Sequence, residues 1–374
     1  MTSYLDYNAT SPMHDLAKQA LINALDIIGN PSSSHKIGLK ARMVVDDARY
    51  SMARLFNIRQ EQVIFTSGGS ESNNIIIKGI VANYSDKKIL VSPLEHPSVH
   101  EVSEGLKNLG FAVETLKLNE DCSIDLQDLE SKLKTDEYGL VSLSFINSET
   151  GIIQNVKQVA ELCRQYNCLV HTDATQAWGK VDVDFNDLRV NLMTLSAHKI
   201  GLAKGVGLII TDGKADLPAL IHGGGQERGR RAGTENVQAL ATLSIADQVL
   251  DDIKKSHEQV KQLRDYLESE VKALNHEVII VGENANRAYN TSYLITPNID
   301  AQTQVINADM NDVCISAGSA CSSGKVKASS VINALGFSDE LANCGIRVSL
   351  GKETTKMDID RFLQAYRQLM ERKK

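Results

Sequence analysis

Four short stretches of this chain hold residue types that packing alone does not call for. In "CLVHTDATQ", Asp173 and Gln176 follow an apolar run. In "LMTLSAHKIG", Ser196, His198 and Lys199 follow another. In "VIFTSGGSESNN", Gly68, Gly69 and Ser70 stand between an apolar run and a helical pattern. In "SAGSACSSGKVKASS" a lone thiol, Cys321, sits among small polar residues with almost nothing to bury it. A structural cysteine needs an apolar home, whereas a reactive one needs exposure and a route to its thiolate. Each stretch alone has a commoner explanation. Gly-Gly-Ser makes plain turns, Asp after a strand caps helices, and a lone Lys is usually a solvated surface group.

The combination is more specific than its parts. Free backbone N–H groups at a helix N-terminus form an anion site. A phosphate cradle, a carboxylate and a lysine at neighbouring strand ends fit a pyridoxal 5'-phosphate site, in which the lysine forms a Schiff base and the acid pairs with the pyridinium nitrogen. Lysine suits the task because desolvation lowers its pKa and frees a neutral amine.

These residues need a scaffold that brings strand ends together. Apolar runs at 62–65, 88–92, 111–116, 140–145, 168–173, 192–196 and 206–211 read as seven strands. Several are apolar on both faces, as in a mostly parallel sheet covered by helices. Helical patterns lie between them: 39–56, with Leu39, Met43, Val44, Ala48 and Leu55 near one stripe, and 156–166. This is α/β organisation, in which ligands bind outside the carboxyl ends of the strands. Long charged helical segments occupy 235–273. The pattern then restarts with strands at 277–281, 290–295, 312–316 and 346–350 and a closing helix at 355–372. The reading is a large domain over 15–250, and a smaller α+β domain formed by 1–14 and 251–374 that carries a loop at 316–330.

Composition narrows the function classes. The chain has 374 residues, 42% apolar and 23% charged, enough for a sizeable core. A formal net charge of −7 argues against a nucleic-acid or anionic-membrane partner. No apolar run reaches membrane-spanning length, and "MTSYLDYNATSP" lacks the features of a signal peptide. Six cysteines are too sparse for a disulfide scaffold, which points to a reducing cytoplasm. Cys163, Cys168 and His171, divided between a helix and a strand, do not make a four-ligand zinc set, so no metal is expected.

Nine segments, "YLDYNATSP", "GNPSSSH", "FTSGGSESNN", "EH", "HTDATQAWGK", "LSAHKIG", "GGGQERGRRAGTEN", "SAGSACSSG" and "IRVSLG", occur in the order and approximate spacing of the cysteine desulfurases. The chain resembles these fold-type-I pyridoxal-phosphate enzymes, relatives of the class V aminotransferases, from about Tyr4 to the closing helix. The resemblance implies that Lys199 is the Schiff-base lysine, that Asp173 pairs with the ring nitrogen, and that Gln176 donates to the ring hydroxyl oxygen. It implies that His96 stacks on the ring, although from the residues alone His96 reads as a helix cap or core histidine. Gly69, Ser70, Ser196 and His198 would hold the phosphate, joined by Thr234 from the partner subunit of a homodimer. Arg347 would fork onto the substrate carboxylate, beside Asn147 and Ser148. Cys321 would attack the sulfur of L-cysteine, release L-alanine and carry a persulfide to a sulfur-acceptor protein, a scaffold or sulfur carrier. A flexible segment would give the thiol its reach, and Lys325 and Lys327 would favour the thiolate.

Three departures accompany the resemblance. Ser148 stands where the family usually has Asn, which predicts weaker substrate binding; Asn147 is expected not to reach, since neighbours on an extended segment point to opposite faces. Leu202-Ala203 replaces a frequent Gly-Pro. The chain stops at "LMERKK", short of the tail with which some relatives meet an iron–sulfur scaffold protein. Two other activities stay open on the sequence, an aminotransferase and a selenocysteine lyase on the same scaffold. So does a non-enzymatic sulfur relay that binds the cofactor.

Overall fold

The computed structural model describes residues 2–318 and 328–373. Cys321, Lys325 and Lys327 lie outside the described residues. A short N-terminal strand, β1 (Ser3–Tyr4), precedes the main sheet, which comprises β2 (Val63–Thr66), β3 (Lys88–Val91), β4 (Val113–Thr115), β5 (Tyr138–Ser144), β6 (Leu169–Asp173), β7 (Leu192–Ser196) and β8 (Gly207–Thr211). Their order in space is β2-β8-β7-β6-β5-β3-β4. β8 runs antiparallel to both neighbours and all other pairings are parallel. The orientation of β8 lines up β2 with β7, so β2, β3, β5, β6 and β7 all deliver their carboxyl ends to one edge.

Side chains alternate along these strands and feed two cores. Phe65, Val141, Val170, Met193 and Leu208 face one core with the helices Lys36–Leu55 and Val156–Gln165. Ile64, Ile89, Leu140, Leu192 and Ile209 face the other with the helices Gly69–Asn83 and Pro97–Asn108. Burial on both faces is the reason these strands read as unbroken apolar runs. The buried stripe of Lys36–Leu55 is Ala41, Val45, Ala48 and Met52. Leu39 and Met43, expected in that stripe, stand exposed on another face of the helix.

A second sheet holds β9 (Ile279–Ile280), β10 (Thr291–Ile295), β12 (Ser316–Ala317) and β13 (Gly345–Ser349) in the antiparallel order β12-β13-β10-β9, while β11 (Val313–Cys314) pairs in parallel with β1. The single strand expected at 312–316 is therefore two strands, separated at Ile315, that serve different partners. β12 and the helix Ser330–Ala334 also take up the two ends of the segment 316–330. The 29-residue helix Ala246–Leu274 joins both units: its Val249 sits in the first core, and Val260, Leu267 and Val271 sit under the second sheet with Phe362 and Tyr366 of the closing helix. Among the described residues no helix is long and apolar enough to cross a membrane.

Candidate active site

The aligned strand ends open into a cleft. Its lining includes Gly69, Ser70, His96, Ser148, Asp173, Gln176, Ser196, His198 and Lys199. Each arrives by a short route. Asp173 and Ser196 are the last residues of β6 and β7. His198 and Lys199 ride a single 3-10 turn, Ala197–Ile200, closed by Gly201 at φ 80°. A Cβ at Gly201 would meet the Pro12 carbonyl at 2.8 Å, so the turn needs a glycine there. Gly69 and Ser70 begin the 15-residue helix that follows β2, with its N-terminal N–H groups facing the cleft edge.

Asp173 is held at both oxygens. Asn73 Nδ2 donates to Oδ2 at 2.8 Å and the Thr175 N–H donates to Oδ1 at 2.9 Å. His96 combines the two roles its residue type allowed. It is the N-cap of Pro97–Asn108, its Nδ1 accepting from the Ser98 N–H at 3.1 Å, and its ring lines the cleft. With Nδ1 so used, the neutral ring carries its proton on Nε2. The protein packed around His96 lowers its pKa by desolvation; Asp173 opposes this, and Lys199 and Arg347 add to it. Burial, with help from Lys199 and Lys204, pushes His198 down to about 4, so this ring is neutral too.

Lys199 donates from Nζ to the carbonyls of Asn8 at 2.7 Å and Ala9 at 2.9 Å. Burial, followed by the nearby Arg347 cation, pushes its pKa down to about 8 against the pull of Asp173 and Asp6. That supplies a neutral amine at modest pH. Arg347 donates from Nη1 to the Ser148 carbonyl at 3.1 Å and from Nη2 to Asp6 Oδ1 at 2.7 Å, and its buried Nε has no partner among the described residues.

Pyridoxal 5'-phosphate fits this donor set. Thr175 Oγ1 is buried in the cleft wall with no hydrogen-bond partner among the described residues, and a Cβ on Gly69 would stand 3.0 Å from it. The glycine thus keeps a polar niche open at the helix N-terminus, which is where a phosphate would lie. Ser196 Cβ stands 3.6 Å from the same position, and His198, Lys199 and Asp173 line the same cleft.

Asn147 does not line the cleft. Its Oδ1 accepts from Glu149 N, Thr150 N and Thr150 Oγ1, its Nδ2 donates to the Leu94 carbonyl, and the whole amide is spent on the turn that presents Ser148. Thr234 is exposed and is not among the residues lining its own chain's cleft. His171 uses both ring nitrogens on the hydroxyls of Ser142 and Thr194.

Sequence reasoning missed four contributors. Asn8, in "YLDYNATSP", accepts from Gln176 and Lys199 at its backbone carbonyl. Asp6, in the same segment, holds Arg347. Glu95, beside His96, is buried against Ser144 N and Oγ, and burial together with Asp173 raises its carboxyl to about 8. Lys180 ends "HTDATQAWGK" and bonds to Gln176 Oε1. The quoted motifs contained all four, but their partners lie up to 341 residues away in sequence, so spacing gave no cue.

Comparison with known proteins is consistent with this geometry. The profile of the family Aminotransferase class-V matches residues 3–362. The cysteine desulfurase IscS of Dictyoglomus turgidum is 35% identical over 99% of this chain and 94% of its own length. Among solved structures, a NifS-like protein from Rickettsia africae superposes with a TM-score of 0.90 at 30% identity, covering 99% of this chain and 100% of the other. The structure of SspA in complex with cysteine matches with a TM-score of 0.79 at 26% identity, covering 95% and 100%. The chain belongs to the class-V aminotransferases, in the branch of the cysteine desulfurases.

Proposed function

We propose that this cleft is where L-cysteine is converted to L-alanine and that Cys321 takes the sulfur as a persulfide. The observation that carries the reading is the convergence of Lys199, Asp173, Gln176, His96 and Ser196 on one cleft at the strand ends. Pyridoxal 5'-phosphate, when bound, supplies a carbon that Lys199 can link to and a sink for the electrons left at the substrate α-carbon. Asp173 would keep the ring nitrogen protonated, Gln176 would donate to the ring hydroxyl oxygen, and the neutral His96 ring would lie over the ring face. Gly69, Ser70, Ser196 and His198 would hold the phosphate. Arg347, beside Ser148, would take the substrate carboxylate. Lys199, as the free amine, would remove the proton from the substrate α-carbon. The Cys321 thiolate would then attack the substrate sulfur. The new S–S bond forms as the Cβ–S bond breaks, and the electron pair stays with the carbon, which gains a proton to become the methyl group of alanine.

The persulfide would pass to a sulfur-acceptor protein in iron–sulfur, tRNA or cofactor sulfuration, and the enzyme would work in the cytoplasm. It would act as a homodimer, with Thr234 of one chain completing the phosphate site of the other. A dimer is supported by the exposed Leu16 of the helix Asp15–Ala24 and the exposed Ile37, Leu39, Met43 and Tyr50 of the helix Lys36–Leu55, apolar side chains that a second copy would cover. Residues 15–250 would form the large domain, and 1–14 with 251–374 the small one. Replacing Cys321 by Ala tests the reading: the holoenzyme should keep its visible cofactor band and lose alanine release from cysteine. Full release from that variant would overturn it.

A further inference from the structure

Lys180 stands close to Lys199 and has no role in the reading above. It is half-buried, and among the described residues it forms no salt bridge with a carboxylate. The charges that act on it are the cations Lys199 and Arg347, which add to burial in holding its pKa well below the ordinary lysine value. A lysine kept in so unfavourable a place needs a task that its amine performs. Its contacts indicate one. Nζ donates to Asn8 Oδ1 at 2.6 Å and to Gln176 Oε1. At the other end of the same carboxamide, Gln176 Nε2 donates to the Asn8 carbonyl at 2.9 Å.

We infer that Lys180 is a positioning residue that fixes the carboxamide of Gln176, so that the second N–H of Nε2 is presented to the cleft. An amine can only donate toward an oxygen, and a backbone carbonyl can only accept. Lys180 at one end and Asn8 at the other therefore admit a single orientation of the amide. One N–H of Nε2 is used by Asn8 and the other remains for a ligand. Without Lys180 the oxygen end of the amide is released, and only the Asn8 carbonyl is left to hold Nε2 in place. Asn8 is held by the same contact. Its Oδ1 accepts from Lys180 and from Asn290 Nδ2 at 3.2 Å, and its Nδ2 donates to the Ser148 carbonyl at 3.1 Å and Thr291 Oγ1 at 3.0 Å. The carbonyl that anchors Lys199 thus belongs to a residue whose side chain is fully bonded.

The inference rests on the assignment of Gln176 as the donor to the ring hydroxyl oxygen, and the test separates the two. Such a donor draws charge from the ring oxygen and makes the Schiff-base nitrogen less basic, so losing it raises the pKa at which the visible cofactor band titrates. Of the other charges facing this nitrogen, those of Asp173, Asp6 and Arg347 stay in every variant; the charge of Lys180 itself is lost in Lys180→Met, and a shift from that cause alone would add to that of Gln176→Leu in the double variant. The band is titrated in purified holoenzyme of the wild type, Lys180→Met, Gln176→Leu and the double variant, with the urea midpoint recorded for each. Lys180→Met and Gln176→Leu should each raise the band pKa by about half a unit or more, the scale of one hydrogen bond, and the double variant should move no further than Gln176→Leu alone. Lys180→Arg, which keeps a donor, should titrate like the wild type. Should Lys180→Met give no folded holoenzyme, Lys180→Gln serves the same comparison. A lowered urea midpoint with an unmoved band in Lys180→Met, beside a shifted band in Gln176→Leu, overturns the inference alone. An unmoved band in Gln176→Leu overturns the assignment of Gln176 and the inference with it. Fully additive shifts in the double variant also overturn the inference, because Lys180 would then act independently of Gln176.

Discussion

At Lys199 the surroundings set reactivity as well as position. Burial and Arg347 bring its pKa to about 8, so the amine is free at a pH where an exposed lysine is almost wholly charged. Only the neutral amine attacks a carbonyl carbon. The rate at which apoprotein takes up pyridoxal 5'-phosphate should therefore rise about tenfold between about pH 7 and about pH 9 and then level off. Stopped-flow absorbance measures this directly, and a rate still climbing past about pH 10 would contradict the assigned environment. Ser148 carries a second prediction at this scale. Its backbone carbonyl is pinned by Asn8 and Arg347, so a change of side chain leaves the backbone anchored. Ser148→Asn, which supplies an amide beside Arg347, should lower KM for cysteine several-fold, about the effect of one hydrogen bond; an unchanged KM contradicts it. The residues at the ends of strands were legible because a polar residue after an apolar run is conspicuous. Asn8 and Asp6 were not, because each matters through a contact that the fold makes between distant segments; Lys180, although four residues from Gln176, was not, because its other partner is Asn8, 172 residues away.

Among the elements, the Gly-rich segment beside the main sheet is held by a buried ion pair. Glu227 and Arg228 take left-handed backbone conformations at φ 48° and 58°, which non-glycine residues adopt only when held there. The clamp is a buried pair. Arg49, from the helix Lys36–Leu55, donates from Nη2 to Glu227 Oε1 at 2.6 Å and from Nη1 to Oε2 at 3.0 Å, and the Phe65 N–H donates to Oε2 at 2.9 Å. The guanidinium also lies 4.4 Å over the Phe65 ring. Glu227→Ala leaves both a buried cation and a strand N–H unpaired and should cost about 3–5 kcal/mol in urea unfolding; a loss under about 1 kcal/mol would show that the pair does not hold the segment. Strand positions in the main sheet were readable because burial on both faces writes a continuous apolar run. The direction of β8 was not, since an antiparallel strand buried on both faces carries the same pattern as a parallel one. The break between β11 and β12 escaped for a related reason: no turn residue marks Ile315, and the break arises because two different neighbours compete for adjacent residues.

In the whole molecule, segments distant in sequence meet beside the cleft. The second sheet brings Arg347 to the backbone carbonyl of Ser148 through β13, the N-terminal segment pairs it with Asp6, and the long helix Ala246–Leu274 is shared by both cores. The proposal that Thr234 of one chain completes the site of the other makes a prediction about mixtures. A Lys199→Ala chain and a Thr234→Val chain, each impaired alone, should recover activity when dissociated and reassociated together, because one site of the mixed dimer then receives an intact lysine and an intact threonine. No recovery would mean that each chain builds its own site. The central claim is that carbon chemistry at Lys199 and sulfur capture at Cys321 are halves of one reaction. The most direct test is a single turnover with limiting L-cysteine in the absence of reductant, followed by quantitation of alanine and mass spectrometry of the peptide that contains Cys321. The account predicts one added sulfur atom on that peptide for each alanine released, and neither product in Lys199→Ala. Alanine released with no sulfur on Cys321 would contradict it.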